Sequence, residues 1–208
     1  SSRAFVIGTG FMGIEFNDYQ MTLKSRVALS GFGVHSGQPV SIQFSPADPD
    51  TGIVFAITGD KRGPVEIRAL VSEIGGTDLC TVLGDPEGVH VATVEHLMAA
   101  LFALGIDNLL IEIDGSEVPI LDGSSAAFVD AFDQAGYEIQ NIKRRYIRVL
   151  KPVRIESGAS WAEFLPYDGT RFEVEIDFES PAIGRQSMAA DIDPSFFRRD
   201  ISRARTFG

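Results

Sequence analysis

The sequence predicts an α+β fold of two tandem units, each a sheet layered on helices, and three observations carry that prediction. Short runs of alternating apolar and polar residues, broken by Gly- and Pro-bearing turns, recur from Tyr19 to Phe178, as antiparallel strands require. The stretches 94–104 and 126–135 carry helical spacing instead, and each ends at a glycine, Gly105 and Gly136, where a helix stop belongs. Finally, a strand, a Pro-bearing turn and a second strand occur twice. Ile42-Gln43-Phe44-Ser45-Pro46 precedes Asp50-Thr51-Gly52, and Ala162-Glu163-Phe164-Leu165-Pro166 precedes Asp168-Gly169-Thr170. Repetition of a whole unit reads as an internal duplication.

Taken in order, residues 1–18 form an N-terminal extension, read as loosely attached. Within it Gly8-Thr9-Gly10-Phe11-Met12-Gly13 matches a dinucleotide fingerprint. That motif needs a following helix and an acidic residue about 20 positions on; Ile14-Glu15-Phe16-Asn17-Asp18 has no helical periodicity. The first domain is placed at 19–140. Its expected strands are Met21–Leu29, Val40–Ser45, Ile53–Ile57, Val65–Ala69, Leu79–Leu83 and Asn108–Ile113, with a flexible loop at Ile74–Asp78 and Val89–Val91 leading into the first helix. One expected helix has Thr93 as N-cap and a stripe of Val94, Leu97, Met98, Leu101 and Leu104, the spacing of a buried face. The other runs from Ala126 to Ala135 after the loop Val118–Ser125. The second domain is placed at 141–208, with strands at Tyr146–Leu150, Val153–Glu156, Trp161–Phe164 and Phe172–Phe178 and a short helix from Pro194. It lacks the helical half that the first domain has, so it is expected to be truncated.

Composition narrows the function. The 208 residues suffice for one or two domains with a sizeable core. A formal net charge of −11 excludes nucleic acid as the main partner, because a phosphate track needs basic surface. One cysteine, Cys80, excludes a disulfide framework and fits a reducing compartment. No apolar run approaches the roughly 20 residues of a membrane span, and Arg3 is not followed by a signal-peptide core. A cytoplasmic protein without stable membrane insertion is expected.

Chemistry concentrates at Glu95-His96, off the apolar stripe and in the first helical turn. The helix dipole there favours a carboxylate over an imidazolium. A neutral imidazole binds metal and a carboxylate accepts a proton. The pair therefore reads either as a metal ligand beside a general base or as a solvated Glu-His pair on a helix surface. Arg198, Arg199, Arg203 and Arg205, with Ser202 and Thr206, read either as a diphosphate-binding cluster or as a solvated basic face.

Several motifs together resemble a known family. Ser30-Gly31-Phe32-Gly33-Val34-His35-Ser36-Gly37, Leu79-Cys80-Thr81, Thr93-Val94-Glu95-His96-Leu97, Gly105-Ile106-Asp107-Asn108, Pro119-Ile120-Leu121-Asp122-Gly123-Ser124 and Ile201-Ser202-Arg203-Ala204-Arg205-Thr206-Phe207-Gly208 resemble the zinc-dependent UDP-3-O-acyl-N-acetylglucosamine deacetylases of lipid A biosynthesis in Gram-negative bacteria. The resemblance spans residues 20–208 in order. It implies two tandem α+β domains, Zn2+ as cofactor, and a UDP-linked acylated amino sugar as substrate, cleaved to a free amine and acetate. It makes His96 a zinc ligand, Glu95 the general base and Thr206 the support of the oxyanion. It places Phe178 and Phe207 along the substrate, and Leu79 and Cys80 on a loop approaching the metal. For Cys80 a buried small hydrophobe is the competing reading; for His35 it is a turn role. The substrate's lipid chain leaves room for transient contact with the inner membrane.

One departure stands out. The family's further zinc ligands, a His and an Asp four residues apart, and its general-acid His come from the later part of the second domain. The histidines of this sequence are His35, His90 and His96, and a catalytic zinc needs about three protein ligands. The expectation is the N-terminal part of a deacetylase, weak or inactive alone. The alternative is a short, non-catalytic relative that binds the UDP-acyl-sugar or a pathway protein as a regulator.

Overall fold

The computed structural model describes residues 18–59 and 63–206, and the backbone of 3–9. In chain order the elements are β1 (Arg3–Thr9), β2 (Tyr19–Leu23), β3 (Val27–Phe32), β4 (Pro39–Pro46), β5 (Ile53–Ile57), β6 (Val65–Arg68), a 3-10 turn (Val71–Glu73), β7 (Ile74–Gly76), β8 (Val82–Gly84) and β9 (His90–Ala92). Then come α1 (Glu95–Leu104), β10 (Leu109–Ile113), α2 (Ala126–Ala135), β11 (Tyr137–Lys143), β12 (Val153–Ser157), β13 (Ser160–Pro166), β14 (Thr170–Asp177), β15 (Arg185–Asp191), the short α3 (Pro194–Phe196) and a π-helical turn (Phe197–Ile201). They form the α+β architecture expected, divided into two compact units. None of the helices among the described residues is long and apolar enough to cross a membrane.

The larger unit holds Asn17–Arg144 and Phe197–Gly208. Its main sheet has the order β3-β4-β10-β5-β6. The central β10 lies antiparallel to β4 and parallel to β5, with Ile111 opposite Phe44 on one side and Phe55 on the other. Alternation in β4 turns Val40, Ile42 and Phe44 into the core, while β5, buried along most of its length, is apolar without alternation. Helix α2 packs on this sheet through edge-to-face contacts of Phe44 with Phe132 at 5.0 Å and with Phe128 at 6.3 Å. Helix α1 buries Leu97, Ala100, Leu101, Ala103 and Leu104 in the same core and ends at Gly105 in the left-handed conformation, φ 70°.

The motif Gly105-Ile106-Asp107-Asn108 is accounted for by this packing. Asp107 forms a bidentate pair with Arg144 and accepts the Met21 amide at 2.8 Å. Buried Asn108 donates to Gln20 at 2.8 Å and to Gln140 at 2.7 Å, and its carbonyl accepts from Thr22. These bonds tie β2 and β11 to the start of β10.

The smaller unit holds β1 and Arg145–Phe196. Its sheet has the order β12-β13-β1-β14-β15. Strand β1 runs parallel to β13 and antiparallel to β14. In both main sheets, therefore, the middle position is taken by a strand remote in sequence from its neighbours.

Several expectations are corrected. Met21–Leu29 is not one strand but two in different sheets. The chain bends at Lys24 and Ser25, where the Lys24 amide donates to Gly136 O and the Ser25 hydroxyl to Ala135 O, each at 2.9 Å, finishing α2. The strand expected at Leu79–Leu83 begins only at Val82, because Leu79 is left-handed, φ 61°. Ile74–Gly76 is a strand, not a flexible loop. Tyr146–Leu150 has no regular structure, whereas β11 and β15 were not expected. Arg3–Thr9, read as loosely attached, is a sheet strand; Gly10–Gly13 of the glycine motif lies outside the described residues. The second-domain stretch 141–208 divides, because Phe197 enters the core of the larger unit and takes the chain after it along.

Candidate active site

Helix α1 starts after Val94, whose backbone is already helical and whose side chain makes no capping bond. Thr93 is not the N-cap expected from its hydroxyl. It is left-handed, φ 59°, and its hydroxyl donates to Glu117 Oε1 at 3.0 Å. Two residues on, the exposed Glu95 carboxylate accepts the Thr81 amide through Oε1, and the Thr93 amide donates back to Thr81 O at 3.1 Å. The loop Leu79-Cys80-Thr81 is thereby pinned to the helix start. Leu79 is 88% exposed at the tip of this loop, and Cys80 is half-buried with a free thiol.

His96 is half-buried, and its carbonyl accepts the Ser125 hydroxyl at 2.8 Å. Ser125 closes the loop Pro119–Ser124, which is wound tightly. Leu121 and Gly123 are left-handed, Ser124 donates through Oγ to Asp122 Oδ1 at 2.7 Å, and the Ala126 amide donates to Ser124 Oγ at 3.1 Å. The bond from the Ser124 hydroxyl holds the Asp122 carboxyl below its ordinary value against the opposing effect of burial; the Ser124 amide and the charge of Arg205 act in the same direction as the hydroxyl.

Thr206 reaches this loop from the chain's other end, its amide donating to Gly123 O at 3.0 Å. The C-terminal segment is anchored by buried Phe197 and Ser202 and by Arg198, which forks onto Asp133 at 2.7 and 3.2 Å and donates to the Tyr137 hydroxyl. Of the arginine cluster, Arg198 is thus committed to Asp133 and Arg199 to Asp200, while Arg203 and Arg205 are exposed. Cys80-Thr81, Glu95-His96, Gly123–Ser125 and Thr206 therefore form one hydrogen-bonded chain in the larger unit. Phe178 follows β14 in the smaller unit, half-buried, its amide donating to Gly184 O at 3.1 Å. Phe207 lies outside the described residues.

Glu117 escaped the sequence reading. It is 4% exposed, and its carboxylate accepts the His35 amide at 3.0 Å and the Ser36 amide at 2.9 Å besides the Thr93 hydroxyl. Burial raises its pKa, but these bonds together with one from the Ser36 hydroxyl outweigh it and leave the group below its ordinary value. In sequence it is one acid in the turn Gly115-Ser116-Glu117. The available signal was the motif Ser30–Gly37 itself, a turn rich in amides with no carboxylate of its own. His35 and His90 are not joined to the Glu95-His96 chain through their rings; the His90 Nδ1 lies 3.2 Å from Gly88 O.

Among the described residues no group of three His, Cys, Asp or Glu side chains is gathered that could hold a metal. The family resemblance makes His96 one ligand of a zinc set; the described residues do not complete the roughly three that catalysis needs.

A family model for UDP-3-O-acyl N-acetylglycosamine deacetylase (LpxC) matches residues 20–208. A protein of Brucella ovis named UDP-3-O-acyl-N-acetylglucosamine deacetylase is 59% identical over 192 residues, covering 92% of this chain and 66% of that protein. Its namesake in Brucella melitensis biotype 2 is 58% identical over the same coverage. The chain thus spans 66% of the length of these curated relatives.

Proposed function

Because this chain belongs to the LpxC family of UDP-3-O-acyl N-acetylglycosamine deacetylases, we propose that the protein carrying it is a zinc-dependent amide hydrolase of lipid A biosynthesis. Its substrate is UDP-3-O-acyl-N-acetylglucosamine, which it cleaves to free amine and acetate in the cytoplasm of a Gram-negative bacterium, with only transient contact with the inner membrane. The observation that carries the reading is the hydrogen-bonded chain running from the Leu79–Thr81 loop through Glu95 and His96 to Thr206.

In this reading His96 is one zinc ligand, and zinc when bound polarises the amide carbonyl and acidifies water. Glu95 takes a proton from the attacking water. The Thr81 amide bonds one carboxylate oxygen and leaves the second for that work. Thr206, held at Gly123, offers its hydroxyl to the oxyanion that forms as water adds. The C–N bond then breaks, the nitrogen takes a proton and departs as the amine, and acetate is left. Leu79, Cys80, Phe178 and Phe207 match positions that line the substrate in the family the chain resembles.

The test is to incubate the whole protein that carries this chain with UDP-3-O-acyl-N-acetylglucosamine and quantify free amine. Amine formation that is lost in Glu95→Ala supports the reading. Binding of the substrate without amine formation overturns it and favours a non-catalytic regulator.

A further inference from the structure

We propose that Glu117 is the positioning residue of this site, fixing the direction in which α1 presents Glu95 and holding the His35 turn against the same helix start. The inference rests on the deacetylase reading for the meaning of Glu95, but its geometry is independent of it.

Two segments converge on this one carboxylate, and the backbone beside it is paired with one of them. The backbone around it pairs with Ala92 just before the helix: the Ala92 amide donates to Ser116 O at 2.9 Å and the Val118 amide to Ala92 O at 3.0 Å. Its Oε1 takes the hydroxyl of Thr93, a β-branched residue in the left-handed region. Such a conformation is strained and persists only where the surroundings over-determine it. Its two oxygens also take the amides of His35 and Ser36. Thr93 is the hinge between β9 and α1, two residues before Glu95, so the bond that holds its φ sets the helix axis and the Glu95 carboxylate with it. The Thr81 amide, which donates to Glu95, is the reporter of that placement.

An ionised carboxylate is the group this place requires. Both of its oxygens accept, and donors lie on each. A glutamine of the same size accepts on one oxygen only and turns an N–H2 toward an amide N–H. It keeps the volume of the side chain but loses the convergence. Gly33 belongs to the same device, since a Cβ there would stand 2.2 Å from Glu117 Oε2.

The experiment compares wild type, Glu117→Gln and Thr93→Val of the whole protein that carries this chain by amide hydrogen exchange and by acetate release from UDP-3-O-acyl-N-acetylglucosamine. Both variants should speed exchange at the Thr81 amide by about tenfold or more, with the Ile111 and Phe132 amides unchanged. They should lower kcat by about tenfold to a hundredfold, the scale of a misplaced catalytic group, and leave KM within about threefold. A merely structural role gives uniform loss of protection at all three amides, or no selective change at Thr81; either result overturns the proposal. If the wild type releases no acetate, the deacetylase reading fails by itself, and selective exchange at Thr81 still decides whether Glu117 positions Glu95.

Discussion

Replacing Gly33 by alanine introduces one methyl group at a point of the larger unit with no room for it. The new carbon would lie 2.2 Å from Glu117 Oε2, 2.2 Å from Ser36 Oγ and 2.7 Å from Glu117 Cδ, about 1 Å inside ordinary contact. The Ser36 hydroxyl can rotate away. The Glu117 carboxylate cannot move without lengthening its bonds to the His35 and Ser36 amides and to Thr93. Hydrogen bonds to a charged group contribute about 1.5–3 kcal/mol each, and overpacking typically costs about 1–3 kcal/mol. Loss of one such bond plus residual crowding gives an expected destabilisation of about 3 kcal/mol. With a urea slope of about 2 kcal/mol/M, the unfolding midpoint of the larger unit falls by about 1.5 M. Far-UV circular dichroism reads that transition. The fluorescence of Trp161, the single tryptophan, reports on the smaller unit and serves as an internal control. In a Glu117→Ala background the crowding is gone, so the added cost of Gly33→Ala should drop below about 1 kcal/mol. A cost under about 1 kcal/mol in the wild-type background, or an equal cost in both, refutes the reasoning.

Other perturbations follow from the same contacts. Phe132 is fully buried edge-to-face on Phe44, so Phe132→Ala should cost about 3–5 kcal/mol in the same urea experiment. The Arg198–Asp133 pair is partly exposed, so Asp133→Asn should cost only about 1 kcal/mol while speeding exchange at the Thr206 amide, whose segment it anchors. Glu117 has its pKa lowered by folding, so its contribution is present above the unfolded value of 4.5 and is lost as the pH falls through the folded one. Glu117→Gln should therefore flatten the stability profile on the acid side, below about pH 4.5, in thermal melts taken from pH 7 downward.

How much of this was legible depended on range. Helix α2 is bounded where the sequence places it because its signals are local: a stripe containing Phe128, Val129 and Phe132, and Gly136 directly after Ala135. The central strands read equally well, since β4 alternates and β5 and β10 are short apolar runs between turns. The misses turn on distant partners. Lys24 and Ser25 bend away from an otherwise continuous strand pattern to meet Ala135 and Gly136, more than a hundred positions on. Thr93 has every local mark of an N-cap, yet its hydroxyl is claimed by Glu117. The place of Glu95-His96 in the first turn of α1 was legible from the sequence, whereas nothing local announces that the Thr206 amide meets Gly123.

The central claim, that Glu95 is the base and His96 a zinc ligand, is tested most directly by measuring zinc content and acetate release together. The proteins compared are the wild type, Glu95→Ala and His96→Ala, each carrying this sequence and given UDP-3-O-acyl-N-acetylglucosamine. The account predicts that Glu95→Ala keeps its zinc and loses turnover by about a hundredfold or more, while His96→Ala loses both. Turnover retained in Glu95→Ala, or zinc retained in His96→Ala, would contradict it.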